Sequence, residues 1–167
     1  MVNFTNKFIR SAQVLAIIVG LVLGVFLWST KGQDISLREI FLPGTPVVHI
    51  GEVSLRVEIA QTTEERTQGL SGRASLEDGV GLLFIFPKAD YHSMWMKDMN
   101  FPIDIIWISE DLKVVSMNDN VTPDSYPRTF RPKQPARYAI EVSELYLETF
   151  GIREGQSVRM PFEYFED

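Results

Sequence analysis

The sequence predicts a mainly β domain, a compact β-sandwich or barrel-like body with one or two short helices, preceded by a single transmembrane helix. Three observations predict it. About seven short apolar runs, several alternating with period two, are separated by Gly, Pro and Asp breakers. Capping and stop signals frame only two short helices. An uncharged stretch near the N-terminus has the length of a membrane span.

That stretch is Ser11 to Thr30, 20 positions without a charge. At about 1.5 Å per residue it matches a hydrocarbon core about 30 Å thick. Leu15, Ile17, Ile18, Leu21, Leu23 and Phe26 supply the apolar surface, and Trp28 stands where an interfacial aromatic anchor belongs. Lys7 and Arg10 precede the span, which directs residues 1–10 to the cytoplasm and the rest outside. The competing reading is a cleaved signal peptide, but Phe26-Leu27-Trp28-Ser29-Thr30-Lys31 lacks the small residues of a cleavage site. Gly20 and Gly24 form a Gly-x-x-x-Gly pattern, either a helix-dimer face or a chance spacing.

Residues 31–46 read as a stalk ending in Pro43, Gly44 and Pro46, and the β-rich domain follows over 47–163. Val47–Ile50 and Val53–Ala60 flank a Gly51-Glu52 turn as a β-hairpin. Thr62 and Glu65 have capping-box spacing, which starts a helix over about 63–68 that stops at Gly69. Further strands are expected at Leu82–Phe86, ended by Pro87, and at Tyr91–Met96, Ile103–Ile108 and Lys113–Met117, the last two joined by Ser109-Glu110-Asp111. Four prolines make 122–137 a loop. Tyr138–Val142 is a strand, Ser143 caps a helix running to Phe150, and Ser157–Met160 closes the domain.

The 167 residues carry a net charge of −6 and no cysteine. Disulfides, thiolate metal sites and a thiol nucleophile are thereby excluded. Beyond residue 30 stand 14 of the 16 basic residues against all 22 acids, a balance of −8. Nucleic acid is a poor partner for such a domain, because backbone contact needs a basic surface.

Three stretches together resemble a known family. They are Glu64-Glu65-Arg66-Thr67-Gln68-Gly69-Leu70-Ser71-Gly72-Arg73; Met94-Trp95-Met96-Lys97-Asp98-Met99 followed by Phe101-Pro102-Ile103-Asp104; and Pro135-Ala136-Arg137-Tyr138-Ala139-Ile140-Glu141-Val142 with Gly151, Ile152 and Gly155. The chain is similar to domain of unknown function 192 over roughly 48–160. The resemblance implies a compact β-sandwich, often behind an export signal or lipid anchor, and no established reaction. Asp98 stands where Asn or Gly is more usual after Trp-Met-Lys, and Ser71 where Met usually follows Gly-Leu.

Among chemistry-bearing residues Asp104 is the most informative. It shares a strand face with Ile106 and Ile108, so its carboxylate needs a cation or N–H donors. The expectation is a buried pair with Lys97, Arg66 or Arg73, and the alternative is a ligand or catalytic role. Arg66, Arg73, Trp95, Lys97 and Asp104 form the candidate ligand cluster. Arg66 and Arg73 flank a Gly-rich turn, and either present donors to an anion or bridge helix to sheet. Trp95 reads as core or pocket wall. The loop 122–137 holds Arg128, Arg131, Lys133 and Arg137 against Asp124, either a weaker anion site or a solvated counterweight. Two histidines, His49 and His92, give no converging metal set, and nothing implies a cofactor.

Two functional classes follow. The favoured one is an extracytoplasmic binding module for an anionic small molecule, an envelope polymer or a partner protein, held to the cell membrane by residues 11–30. The alternative is a cell-envelope hydrolase or transferase using Asp104 or Glu141 with Lys97.

Overall fold

The computed structural model describes residues 45–160. The expected membrane span and all but the last two residues of the stalk lie outside the described residues. Among the described residues no helix is long and apolar enough to cross a membrane.

The hairpin forms as its turn chemistry demands. β1 (Val47–Ile50) pairs antiparallel with β2 (Val53–Ala60) across Gly51, whose φ of +58° suits a residue without a Cβ. α1 (Thr63–Gln68) starts with the full capping box: the Thr62 side chain accepts from the Glu65 N–H, and the Glu65 carboxylate accepts from the Thr62 N–H. β3 (Val80–Asp90) returns parallel to β2. It runs through Pro87 rather than stopping there, because its pairing with the antiparallel neighbour shifts register between Ile85 and Asp90 and leaves room for a residue without an N–H. β4 (Met94–Trp95) is shorter than the sequence suggests and pairs with β7 (Thr129–Phe130) as a separate ribbon. The expected loop thus contributes a strand and a 3₁₀ turn at Pro123–Ser125.

β5 (Ile103–Ile108) and β6 (Val114–Val121) form the second hairpin. β8 (Ala136–Ser143) lies between β5 and β3. α2 (Tyr146–Phe150) begins after Leu145, which has φ +64°, so Ser143 remains in the strand instead of capping the helix. β9 (Val158–Arg159) pairs with β1.

The seven-stranded sheet has the order β6-β5-β8-β3-β2-β1-β9. Its two edges are drawn together: Lys113 bridges Ser157, the Val114 N–H donates to Gln156 O, and the Val158 N–H to Leu112 O. The result is a curled, half-barrel sheet rather than two packed sheets. All six β5 side chains are buried, the signature of a strand covered on both faces. The inner face holds Val48, Leu55, Leu83, Ile106, Ile140 and Val158, plugged by Tyr146 and Leu147 of α2. The outer face holds Leu82, Phe84, Ile105, Trp107 and Ala139, covered by Leu70 and by the ribbon residues Met94 and Phe130.

Candidate functional site

The site lies on the outer face and grows from the register of four strands. Glu58, Leu82, Glu141 and Ile105 stand side by side across β2, β3, β8 and β5. Strand alternation points Glu141 outward with Ala139, while Ile140 and Val142 point into the half-barrel. The ribbon and the end of α1 then roof the sheet and leave a cleft of about 470 Å³ above Glu141. Phe84, Phe86, Met94, Met99 and Leu70 make its apolar walls, Trp95 and Arg66 stand at its margin, and Thr67, Ser71, Ser93 and Thr129 add hydroxyls.

Glu141 is the chemically unusual member. It is buried, and its Oε2 has no hydrogen-bond partner. Burial pushes its pKa up to about 8, against the pull of the nearby Arg73 guanidinium. At neutral pH it is therefore mainly a neutral carboxylic acid, able to donate one hydrogen bond or accept one. Arg73 does not pair with it directly. Arg73 Nη1 and Nη2 donate to the two Glu58 carboxylate oxygens, at 2.8 and 2.7 Å, which lowers the Glu58 pKa. Gly69 keeps the approach to Glu141 clear. A Cβ there would stand 3.4 Å from the Phe84 ring and 3.7 Å from Glu141 Oε2, and φ +51° already disfavours a side chain.

The loop after α1 is tied to the Trp-Met-Lys block. Ser71 Oγ donates to Lys97 O at 2.8 Å, the Gly72 N–H donates to Asp98 O at 2.8 Å, and Asn100 Nδ2 donates to Arg73 O. Asp98 has φ +57°, a conformation that Asn and Gly adopt readily, which accounts physically for the residue types usual at that place. Ser71, where Met is usual, supplies the hydroxyl of that tie.

The expected cluster divides. Trp95, Arg66 and Glu141 line the cleft, while Lys97 lines an adjoining hollow with Trp95 and Asp98. Arg66 bridges helix to sheet, donating to Gln61 O and, at 3.0 Å, to Ile85 O. Asp104 does not join them. It faces the half-barrel interior with Ile106 and Ile108, where its two carboxylate oxygens accept from the Asn120 N–H at 2.8 Å and the Leu147 N–H at 3.0 Å. Backbone donors at the β6 end and the α2 start satisfy it in place of the expected cation, while Arg66 is held by Ile85 O, Arg73 by Glu58, and Lys97 lines the hollow beside the cleft. Asp104 thus stands apart from Lys97, while Glu141 and Lys97 line adjoining hollows that share Trp95.

The basic loop residues are engaged separately. Arg131 Nε donates to Ser93 Oγ at 2.7 Å, Lys133 pairs with Glu154 at 2.8 Å, and Arg128 lies 4.9 Å over the Phe130 ring, while Arg137 lies 5.8 Å from the Tyr138 ring with its Nη1 buried and without a hydrogen-bond partner. His92 stacks on Phe86 and bonds Lys88 O, and His49 bonds Ser54. Among the described residues no group of three or more His, Asp or Glu converges as a metal site would require.

Sequence reasoning passed over the cleft walls Phe84, Phe86, Met94 and Met99, which read simply as core. Glu141 carried one usable signal, a carboxylate between Ile140 and Val142 in a run with no polar alternation.

No curated protein matches the sequence. Among solved structures, four chains are similar. One is a protein of unknown function from Novosphingobium aromaticivorans DSM 12444, 25% identical, covering 77% of this chain and 99% of that one with a TM-score of 0.68. Another is described as a putative transcription regulator from Sinorhizobium meliloti 1021; at 24% identity, with 70% of this chain and 94% of that one covered and a TM-score of 0.66, it shares the fold. The family described as DUF192, an uncharacterized ACR, matches residues 47–160. With its three specific stretches gathered around one cleft and its half-barrel spanning the matched region, this chain belongs to the DUF192 family.

Proposed function

We propose that this domain is an extracytoplasmic binding module, held at the membrane by residues 11–30, whose outer-face cleft takes a compact organic ligand with an uncharged polar head. The observation that carries the reading is Glu141 Oε2, a buried oxygen without a partner at the base of an apolar cleft. Buried polar groups are nearly always hydrogen-bonded, and an orphan in a concave site suits a ligand group better than the fold. A protonated carboxyl at the base favours an amide or hydroxyl over an anion, so any anionic part of the ligand belongs outside the cleft. The loop cations Arg128, Arg131 and Lys133 already have partners within the domain, which supports the cleft over the loop as the binding site.

The test is a thermal-shift screen of neutral small molecules and envelope-derived sugars against wild type and Glu141→Leu. A true ligand loses about tenfold or more in affinity, the worth of one buried hydrogen bond. Ligands that bind both proteins equally would refute the role of Glu141. The membrane part is tested separately, by retention of the full-length chain in the pellet after alkaline carbonate extraction; recovery in the supernatant would refute it.

A second reading has one observation behind it. A carboxyl held protonated near neutral pH is a competent general acid. In that case Glu141→Gln abolishes turnover of a ligand from the screen while leaving its Kd nearly unchanged.

A further inference from the structure

We infer that the ligand is an oligosaccharide of N-acetylated amino sugars, lying across Trp95 with one acetamido group in the cleft beside Glu141. This rests on the binding role proposed for the cleft and names its occupant. Trp95 is 49% exposed although it sits in the ribbon that covers the sheet, so about half of its surface is left open to solvent. It is shared by two hollows of about 470 Å³ each. On one side lies the apolar cleft with Glu141. Beside it lies a polar hollow that shares Thr67, Gln68 and Ser71 with the cleft and adds Glu64, Lys97 and Asp98.

A pyranose ring has a flat C–H face that stacks on an exposed indole and a rim of hydroxyls that needs polar side chains. The acetamido substituent matches the cleft in both of its parts. Its methyl group suits the walls of Phe86, Met94 and Met99, and its amide offers Glu141 Oε2 the missing hydrogen bond. Two adjoining hollows, each already within the usual 300–1,000 Å³ range of ligand pockets, suit a chain of sugars better than one ring. Lys97, Gln68 and Thr67 would then hold the hydroxyls of the next unit. A peptide would also use an aromatic platform, but its backbone amides repeat without the polyhydroxyl rim that this hollow complements.

The test uses the purified full-length chain in a zwitterionic detergent, which carries no sugar headgroup. β-1,4-linked N-acetylglucosamine oligomers, from monomer to hexamer, are titrated by calorimetry and by tryptophan emission. Affinity is expected to rise about tenfold or more from monomer to tetramer. Trp95→Ala should remove both that gain and the emission change, and Trp95→Phe should keep part of the gain, which separates stacking from misfolding. De-N-acetylated oligomers should bind about tenfold more weakly, and Glu141→Leu should weaken the acetylated series alone. Equal binding of glucose oligomers, preference for a peptide library, or no binding of any oligomer would overturn the sugar assignment. If the oligomers fail while another molecule binds in a Glu141-dependent way, only the sugar assignment falls; if no ligand depends on Glu141, the binding role of the cleft falls with it.

Discussion

Replacing Glu141 by Gln should make the protein more stable, increasingly so as pH rises. Burial raises the Glu141 pKa to about 8 from an ordinary 4.5. Between those values the folded state holds a proton that the unfolded chain has released. Stability contributed by this group is therefore complete below pH 4.5 and is lost as pH rises through about 8. The slope is at most about 1.4 kcal/mol per pH unit, so from pH 4.5 to 7 the loss reaches about 3 kcal/mol at its upper bound. Relaxation and water entry through the cleft reduce it, and a measured gap on the order of 1–3 kcal/mol is expected. Gln has the same shape and no ionisation, so every other titrating group cancels in the difference between the two proteins. The assay is urea unfolding of residues 45–167 from pH 5 to 8.5, followed by tryptophan emission, to which both Trp95 and the buried Trp107, whose Nε1 donates to Asn118 Oδ1, contribute. The segment is one that a solved relative matches over 99% of its own length. A stability gap that stays flat across this range, or that shrinks toward high pH, would refute the placement of a protonated carboxyl beneath the cleft.

Three further changes probe the frame around it. Asp104→Asn removes the charge from one buried and one part-buried hydrogen bond that pin α2 to the end of β6, and should cost about 1–3 kcal/mol in the same assay without altering ligand binding; an equal loss of binding would place Asp104 in the site after all. Gly81→Ala should destabilise by about 1–3 kcal/mol through overpacking, because a Cβ there would stand 3.0 Å from Glu141 O, Ile140 Cγ2 and Leu55 Cδ2, and an unchanged unfolding midpoint would contradict that close approach. Thr62→Ala should cost about 1 kcal/mol by opening the capping box of α1, read as a lower thermal midpoint.

The local elements were legible because local chemistry decides them. Gly51 between two alternating runs makes a hairpin, and Thr62 with Glu65 makes a helix start, whatever surrounds them. The family followed from three short stretches whose residue types are fixed by local conformation and packing. Pairing partners were not legible. Nothing in Met94-Trp95 or Thr129-Phe130 says that two residues of a proline-rich loop will close a ribbon over the sheet, since those contacts span 34 and 36 positions and are settled by the whole core. The two buried acids show the limit most clearly. Asp104 and Glu141 each sit between apolar neighbours in a strand, and period-two alternation reports only that each faces one side. Which side holds donors is decided elsewhere, by the start of α2 and the end of β6 for Asp104 and by the roof of α1 and the ribbon for Glu141. Sequence therefore determined that two carboxylates had to be accommodated. Tertiary structure alone decided that one is satisfied by backbone N–H groups and the other is left with an open oxygen beneath a cleft, because hydrogen bonds to buried groups come from residues brought near by folding and not by the chain.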